Sequence, residues 1–430
     1  MTPPKPMPRF RAAVKSLAQG LLLACAVSIV PPASAAPDEE LLGRAQGYPV
    51  GTATNWLSEP GVRVGSFTHQ AEIAELMGWK VRTLSPGSRT MPLPHAARTP
   101  PYRWNIDALR NLTVDDYLAR QRIMGLIVIK DGVVQLERYQ YGRGAGDRFV
   151  SHSMAKSLVS LAVGLALQER RLHSLDDPAQ RYDAALDDTL YGATSLRDLL
   201  RMGSGARFEE RYDGRDDLEQ FGLLVARQGI ELAARSVSER AAPAGQRFNY
   251  ASPETLMLAA AVTNAVGMNL SAYLEARLWQ PMGAESTAQW LTDRTGLELA
   301  SGNFNATLRD YARLGWLLAN DGLRPDTGEQ ILPRDYLLEA TDATRLSPPF
   351  APKQATRYLG YGYQFWLYPG RVRRFAMLGV YGQMIVVDPD LKLVMVQTAA
   401  NATPKPEATT LAREADAFWR GLVDYYGGRW

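Results

Sequence analysis

The stretch that decides the fold is SHSMAKSLVSLAVGLALQER, residues 151–170, where Ser153 and Lys156 stand three positions apart before an apolar run. The run is apolar on nearly all sides, which predicts a buried helix instead of a helix on the protein surface. Residues three apart share one helix face. The stretch therefore predicts a serine hydroxyl beside a lysine amine at the buried start of a helix.

Two interpretations of this pair stay open at the level of the residues. Ser153 could cap the helix while Lys156 is a solvated charge of its first turn. Alternatively, Lys156 could take the proton of a nucleophilic Ser153. That role requires the lysine pKa to fall from about 10.4 to about 7, which is roughly 4.6 kcal/mol against the charged form. Burial changes a lysine pKa by that much in extreme cases.

The composition favours the chemical interpretation. The chain contains 40 arginines and 8 lysines, and only Lys156 has a serine three positions before it. Arginine keeps its proton in proteins and cannot act as a base. A lysine at this place, in a chain that otherwise uses arginine, therefore favours a role as a base.

The sequence offers no conventional alternative base. Its histidines are His69, His95, His152 and His173, and the side chain of His152, directly before Ser153, should point elsewhere. No Gly-x-Ser-x-Gly elbow, His-Glu-x-x-His zinc motif or phosphate-binding loop occurs. We therefore expect neither a metal nor a cofactor.

Residues 1–35 have the features of a signal peptide: four basic residues, the apolar run LAQGLLLACAVSIV and an Ala-x-Ala cleavage site. Without them the net charge changes from +3 to −1, so no basic footprint for nucleic acid remains. We expect an exported protein, periplasmic or secreted. A lipid anchor on Cys25, the only cysteine, is the less favoured alternative because the apolar run continues past it. No later segment is apolar for long enough to predict a membrane span.

The rest of the chain predicts an α+β fold. Residues 36–116 are rich in Pro, Gly, Thr and Arg without a sustained period, and predict an extended N-terminal arm. Residues 117–160 and 345–430 carry β-rich runs and a closing helix, and predict an α/β domain whose antiparallel sheet is flanked by helices. Residues 161–344 show amphipathic helical patterns, and predict an inserted all-α domain.

Local turn chemistry supports the first hairpin of that sheet. The run GLIVIKDGVVQLERYQYG has β-rich segments on either side of Asp131-Gly132, residues that tolerate the positive φ of a tight turn. We therefore predict an antiparallel hairpin over residues 125–141, which later strands complete into one sheet.

Three motifs in order resemble the serine β-lactamase and penicillin-recognising family, on its class C and esterase side. SMAK, residues 153–156, matches Ser-x-x-Lys; Tyr250-Ala251-Ser252 matches Tyr-x-Asn or Tyr-x-Ser; and Met377-Leu378-Gly379 stands where Lys-Thr-Gly is usual. The similarity is closest to 6-aminohexanoate-dimer hydrolase-like proteins, through SMAKSLVSLAVG, SLRDLLRMGSG, NATLRDYARLGWLLANDG, GYGYQFW and GVYGQ.

The resemblance implies a role for each matched residue. Ser153 would attack an amide or ester carbonyl, Lys156 would take its proton, and Tyr250 would relay a proton to the leaving group. The backbone N–H groups of Ser153 and Val380 would stabilise the oxyanion.

Three further positions follow from the same resemblance. Ser252 would support the lysine and tyrosine network, and Gly379 would be a supporting or substrate-binding position. Tyr212 matches by position a lid tyrosine of the aminohexanoate hydrolases, although a plain loop aromatic is an equal alternative. The aspartates of its loop, Asp213 and Asp216 among them, could attract a substrate amine or simply form a solvated acidic loop.

The departure at the third motif bears on the substrate. In the β-lactam enzymes the lysine there helps to receive a carboxylate, whereas Met377 and Leu378 offer neither charge nor hydroxyl. We therefore expect a small-molecule substrate, either a linear amide or a carboxylic ester. A β-lactamase or DD-peptidase, and a non-catalytic binding protein with the same fold, are the alternatives.

Overall fold

The structure is a computed structural model that describes residues 1–2, 36–405 and 411–430. The predicted signal peptide, with Cys25, lies outside the described residues except for its first two. Proposals about export and lipid attachment therefore rest on the sequence.

The regular elements are numbered in chain order. The strands are β1 Val81–Leu84, β2 Trp104–Ile106, β3 Leu109–Leu112, β4 Ile123–Lys130, β5 Val133–Tyr139, β6 Arg148–Val150, β7 Ala288–Leu291, β8 Phe304–Thr307, β9 Leu323–Arg324, β10 Glu329–Gln330, β11 Gly360–Tyr361, β12 Trp366–Leu367, β13 Phe375–Gly379, β14 Gln383–Asp388 and β15 Leu393–Ala399. The helices are α1 Pro60–Thr68, α2 Gln70–Leu76, α3 Val114–Arg120, α4 Ala155–Gln168, α5 Leu196–Leu200, α6 Asp217–Gln228, α7 Ile230–Ala234, α8 Ser252–Val266, α9 Leu270–Leu274, α10 Leu308–Ala319, α11 Arg334–Thr341 and α12 Leu411–Tyr425.

The central sheet is antiparallel, with strand order β11-β12-β13-β14-β15-β4-β5. Its first hairpin turns at Asp131 and Gly132, whose φ angles of 52° and 77° suit the tight turn that the sequence predicts. Strand β15 pairs with β4 and places Val396 opposite Ile127. The C-terminal strands thus complete the sheet that the hairpin starts, which confirms the predicted α+β architecture.

Helices cover both faces of this sheet. Helix α10 packs on one face so closely that a Cβ on Gly315 would lie 2.5 Å from Val394 Cγ1. Helix α12 covers the other face and buries Phe418 and Trp419 there. Strand β4 is buried along nearly its whole length because it lies between these two layers.

The region predicted to be all-α, residues 161–344, is helical for the most part but not throughout. Strands β7 and β8 lie within it and join a second antiparallel sheet of order β1-β7-β8-β6. Each of these two strands has four residues, the shortest length at which an alternating pattern indicates a strand, and each also pairs with a strand distant in the chain. The all-α prediction is therefore corrected.

The predicted arm, residues 36–116, contains helices α1 and α2 and strands β1 to β3. Helix α1 buries Val64 and Phe67 in the core. Its backbone lies against another part of the arm, since a Cβ on Gly65 would meet Tyr48 O at 2.4 Å. The described residues from Ala36 onward form one compact unit, and the domain boundaries stay a prediction.

Within the described ranges, no single helix is both long and apolar enough to cross a membrane. Helix α8 and the helical segment Leu270–Trp279 satisfy the length and composition criteria only as a pair, which is bent by 73°.

Candidate active site

Ser153 lies at the junction of strand and helix. A 3₁₀ turn, His152–Met154, follows β6 and leads directly into α4. His152 has φ 43°, in the left-handed region that non-glycine residues seldom adopt. Ser153 is half-buried, whereas its neighbours Ser151, His152 and Met154 are buried. The turn therefore presents the serine from an otherwise buried segment.

Lys156 is a buried partner of Ser153. Its Nζ lies 2.9 Å from Ser153 Oγ and 2.8 Å from Ser301 O, and the residue is 1% exposed. Burial lowers the pKa of Lys156 to about 8, while the charge of Glu210 acts in the opposite direction. Helix α4 has no side-chain cap, so the interpretation as a helix cap with a solvated lysine is wrong.

Tyr250 lies next to this pair. Its ring centroid is 5.1 Å from Lys156 Nζ, and Ser153 is among the groups that influence the pKa of its hydroxyl. Burial raises the pKa of Tyr250, which keeps the phenol protonated. The ring stacks on Trp366, with centroids 5.5 Å apart, and meets Tyr361 edge-on at 5.9 Å. These aromatic contacts, which the sequence did not reveal, hold the phenol in a defined orientation.

The end of β13 passes beside the 3₁₀ turn that carries Ser153. A Cβ on Gly379 would lie 2.4 Å from Ser151 O and 3.2 Å from His152 Cβ, so the strand can approach only because this residue is glycine. Val380 follows and is half-buried. Among the described residues, neither the N–H of Ser153 nor that of Val380 has a hydrogen-bond acceptor.

Met377 is 1% exposed and packs in the main core, so it adds an apolar side chain where the third motif normally has a lysine.

Tyr212 also reaches the site. Its hydroxyl donates to Glu210 Oε1, and burial raises its pKa while Ser153 lowers that pKa slightly. Its φ of 65° is stabilised by Asp216, whose Oδ2 accepts from the Tyr212 N–H at 2.7 Å. Asp216 is 3% exposed and also caps helix α6 through the N–H of Glu219, so its role is to shape the loop.

Ser252, the first residue of α8, has a different partner from the one expected. Its N–H donates to Glu210 Oε2 at 2.7 Å and its Oγ to Glu210 Oε1 at 3.0 Å. Within the described part of the chain it makes no hydrogen bond to Lys156 or Tyr250. Glu210 is the residue that the sequence did not reveal, because nothing local distinguishes it from the adjacent Glu209.

His152 is a packing residue. Its ring lies 4.7 Å from that of Phe67, 5.8 Å from that of Tyr381 and 6.4 Å from that of Trp56, between centroids. Burial lowers the pKa of His152 to about 3, so the imidazole is neutral. Its side chain packs among these aromatic rings, in line with the prediction that it points away from Ser153.

Across the described ranges, no group of three or more His, Cys, Asp or Glu side chains is placed to hold a metal ion.

Comparison with known proteins gives the chain a family. The family model described as Beta-lactamase matches residues 111–417. A curated relative, the 6-aminohexanoate-dimer hydrolase of Paenarthrobacter ureafaciens, is 25% identical over 296 residues, which are 65% of this chain and 72% of that protein.

Solved structures share the fold. A Bacillus anthracis protein proposed to be a 6-aminohexanoate-dimer hydrolase has a TM-score of 0.75 at 24% identity, over 87% of this chain and 96% of that one. The octameric penicillin-binding protein homologue from Pyrococcus abyssi has a TM-score of 0.52 at 17% identity, over 74% and 76%. Because the family model spans most of the chain and the resemblance of the motifs agrees with it, the chain belongs to the beta-lactamase family and is a serine hydrolase.

Proposed function

We propose that this hydrolase is exported and cleaves a small linear amide or carboxylic ester through an acyl-enzyme on Ser153. The observation that carries the proposal is the buried pair, with Lys156 Nζ 2.9 Å from Ser153 Oγ. Burial lowers the Lys156 pKa to about 8, so roughly one molecule in ten has a neutral amine at pH 7. That fraction suffices for a general base.

The chemistry follows from the positions of the side chains. Ser153 Oγ attacks the carbonyl carbon as its proton passes to Lys156 Nζ, and the N–H groups of Ser153 and Val380 donate to the oxyanion. Tyr250 gives its proton to the leaving nitrogen or oxygen as the C–N or C–O bond breaks, and regains one from Lys156. Water then attacks the acyl carbon, and the carboxylic acid leaves as the Ser153 proton is restored.

The raised pKa of Tyr250 fits this assignment. Because its pKa is raised, Tyr250 carries a proton that it can donate near neutral pH. Very little of the phenolate form, which would be needed to act as a base, is present there. Tyr250 is therefore assigned as the proton relay and Lys156 as the base. The supporting positions are Ser252, Gly379 and Tyr212.

Two features support an amide or ester over a β-lactam substrate. The side chain of Met377 is buried and uncharged, so this part of β13 has no cation to receive a substrate carboxylate. The Paenarthrobacter relative is named for hydrolysis of a 6-aminohexanoate dimer, which is joined by an amide bond. Export is supported by the signal-peptide features of residues 1–35.

The test is intact-mass analysis after exposure to a fluorophosphonate. The protein is expressed from the full sequence, including residues 1–35, and is then purified. We expect a single adduct that is lost in Ser153→Ala and kept in Ser58→Ala, an exposed serine. The unlabelled mass also reports cleavage after residue 35, or a lipid on Cys25. An unlabelled wild-type protein that is folded would overturn the acyl-enzyme proposal.

The same measurement with a penicillin separates the alternatives. A stable penicillin adduct on Ser153 would contradict the substrate assignment and favour a β-lactamase or DD-peptidase. Rates on p-nitrophenyl esters and linear ω-amino amides then distinguish an esterase from an amidase.

A further inference from the structure

Glu210 is a buried carboxylate that joins two parts of the site. It is 8% exposed and accepts three hydrogen bonds from side-chain and backbone donors of other residues. Oε2 accepts from the Ser252 N–H at 2.7 Å, and Oε1 accepts from Ser252 Oγ at 3.0 Å and from the Tyr212 hydroxyl. The carboxylate therefore connects the Tyr-x-Ser motif to the loop that carries Tyr212.

The main chain of Glu210 is held from a third direction. Lys405, in the segment after β15, donates from Nζ to Glu210 O at 2.6 Å, and the same Nζ lies 5.3 Å from the centroid of the Tyr212 ring. Glu210 is thus held by α8, by its own loop and by the C-terminal segment. A carboxylate fixed in this way has a defined position relative to the reacting groups.

Glu210 also provides the negative charge that acts on Lys156. Among the described residues, the direct contacts of the lysine amine are Ser153 Oγ, the carbonyl of Ser301 and the ring of Tyr250, which are uncharged. His152 is near enough to sense the lysine charge, but burial keeps its ring neutral. Burial lowers the pKa of Lys156, and the charge of Glu210 opposes that effect.

We propose that Glu210 is a positioning residue of the acyl-transfer site, which holds Ser252 and Tyr212 in place and supplies a negative charge that acts on Lys156. This inference rests on the proposed function of Ser153 and Lys156. It predicts that the carboxylate controls both the rate of acylation and the pH at which acylation begins.

The direction of the pH effect follows from the charge. Removing the negative charge lowers the pKa of Lys156 further below its ordinary value, so the neutral base persists to lower pH. In Glu210→Gln the rate at high pH should fall, because an amide N–H replaces one acceptor, while the rise of activity with pH should begin earlier. Relative to its own high-pH plateau, the rate at pH 6 should increase about threefold or more.

The experiment measures the rate of fluorophosphonate labelling of Ser153 from pH 5.5 to 9.5, together with kcat/KM for p-nitrophenyl acetate. Glu209→Gln is the matched control: it removes the adjacent charge, whose side chain is 61% exposed and pairs with Arg211, and should leave the profile unchanged. Glu210→Asp keeps the charge, so its profile should begin at the wild-type pH while its plateau falls.

Two further variants separate charge from structure. Ser252→Ala removes one donor but keeps the carboxylate, so it should lower the rate without moving the profile. Glu210→Ala also removes the charge, but it does not bring a side-chain amide N–H close to the backbone N–H of Ser252. If Glu210→Gln does not fold, the pH profile is measured on Glu210→Ala instead. Thermal unfolding of each variant shows which of them are folded.

The outcomes are distinct. A profile that moves to lower pH in Glu210→Gln or Glu210→Ala, but not in Glu209→Gln, supports the inference. An unmoved profile with Ser153 still labelled overturns the role of Glu210 and leaves the nucleophile in place. Absence of labelling in the wild-type protein overturns the proposed function, and the inference with it.

Discussion

At the scale of single residues, Lys156 has an energetic cost that its hydrogen bonds offset only in part. A lysine pKa lowered from 10.5 to about 8 corresponds to about 3 kcal/mol against folding at neutral pH. The two hydrogen bonds to Ser153 and Ser301 return about 1 kcal/mol each. An apolar residue of similar length should therefore be tolerated better than the lysine.

We expect Lys156→Met to raise the free energy of unfolding by roughly 1 kcal/mol at pH 7 while abolishing labelling of Ser153. The pKa of Lys156 is lower in the folded protein than in the unfolded chain, so between about pH 8 and pH 10.5 the unfolded chain binds more protons than the folded protein. The wild-type protein therefore gains stability as the pH rises through this range. The advantage of the variant should therefore shrink and reverse by about pH 10. Urea unfolding at pH 7 and pH 10 measures both values.

Lys392→Met is the matched control for that change. Lys392 also donates to a backbone carbonyl, Ala319 O at 2.7 Å, so its loss should cost about 1 kcal/mol. A Lys156→Met protein that is less stable than wild type at pH 7 would contradict the argument from burial.

The sequence predicted the residues whose signal is local and missed those defined by tertiary contacts. Ser153 and Lys156 share a helix face by spacing alone, and the structure brings them together. Glu210 has no such signal, because Glu209 beside it has the same chemistry and only the fold buries one of them. The partner of Ser252 could not be predicted for the same reason.

At the scale of elements, Gly379 at the end of β13 allows the strand to approach the turn that carries Ser153. We expect Gly379→Ala to lower the free energy of unfolding by about 1–3 kcal/mol, because its Cβ would lie 2.4 Å from Ser151 O and the strand must move away. The displacement should also slow acylation, since Val380 follows directly. Chemical denaturation and the labelling rate of Ser153 report the two effects.

Gly146→Ala serves as the comparison, because no atom lies within 4 Å of the Cβ that it would add. Its stability and labelling rate should match those of the wild type. Normal labelling in Gly379→Ala would show that the close approach of β13 is not required for acylation.

Elements were predictable where turn chemistry and pattern agreed over a sufficient length. Strands β4 and β5 flank a turn whose two residues both have positive φ, and the sequence places them correctly. Strands β7 and β8 were missed because an alternation over four residues is a weak signal, and their pairing with β1 and β6 involves residues distant in the chain. Non-local pairing is the part of a β-sheet that a single sequence specifies least.

At the scale of the whole molecule, the first and last parts of the described chain support the site jointly. Arg63 in α1 is 2% exposed, donates to Asn401 O at 2.9 Å and Ser58 O at 3.0 Å, and lies 4.7 Å from the centroid of the Tyr381 ring. The Tyr381 ring in turn lies 5.8 Å from the ring of His152. The N-terminal segment is thus coupled through packing to the turn that presents Ser153.

This coupling predicts that a change in the N-terminal segment acts on the active site. Arg63→Met should lower the free energy of unfolding by about 2–4 kcal/mol, because it removes the donor to the buried Asn401 O and to the part-buried Ser58 O. The midpoints of tryptophan fluorescence and of Ser153 labelling, followed through the same urea titration, should both shift to lower urea.

Arg63→Lys should restore little of the lost stability, since one ammonium cannot match the planar fork of the guanidinium. Arg44→Met, which removes a side chain 57% exposed and paired with Glu39, should change stability by less than about 1 kcal/mol. If Arg63→Met shifted the fluorescence transition and left the labelling transition in place, the N-terminal segment would unfold separately from the site, as the domain boundaries predicted from the sequence would allow.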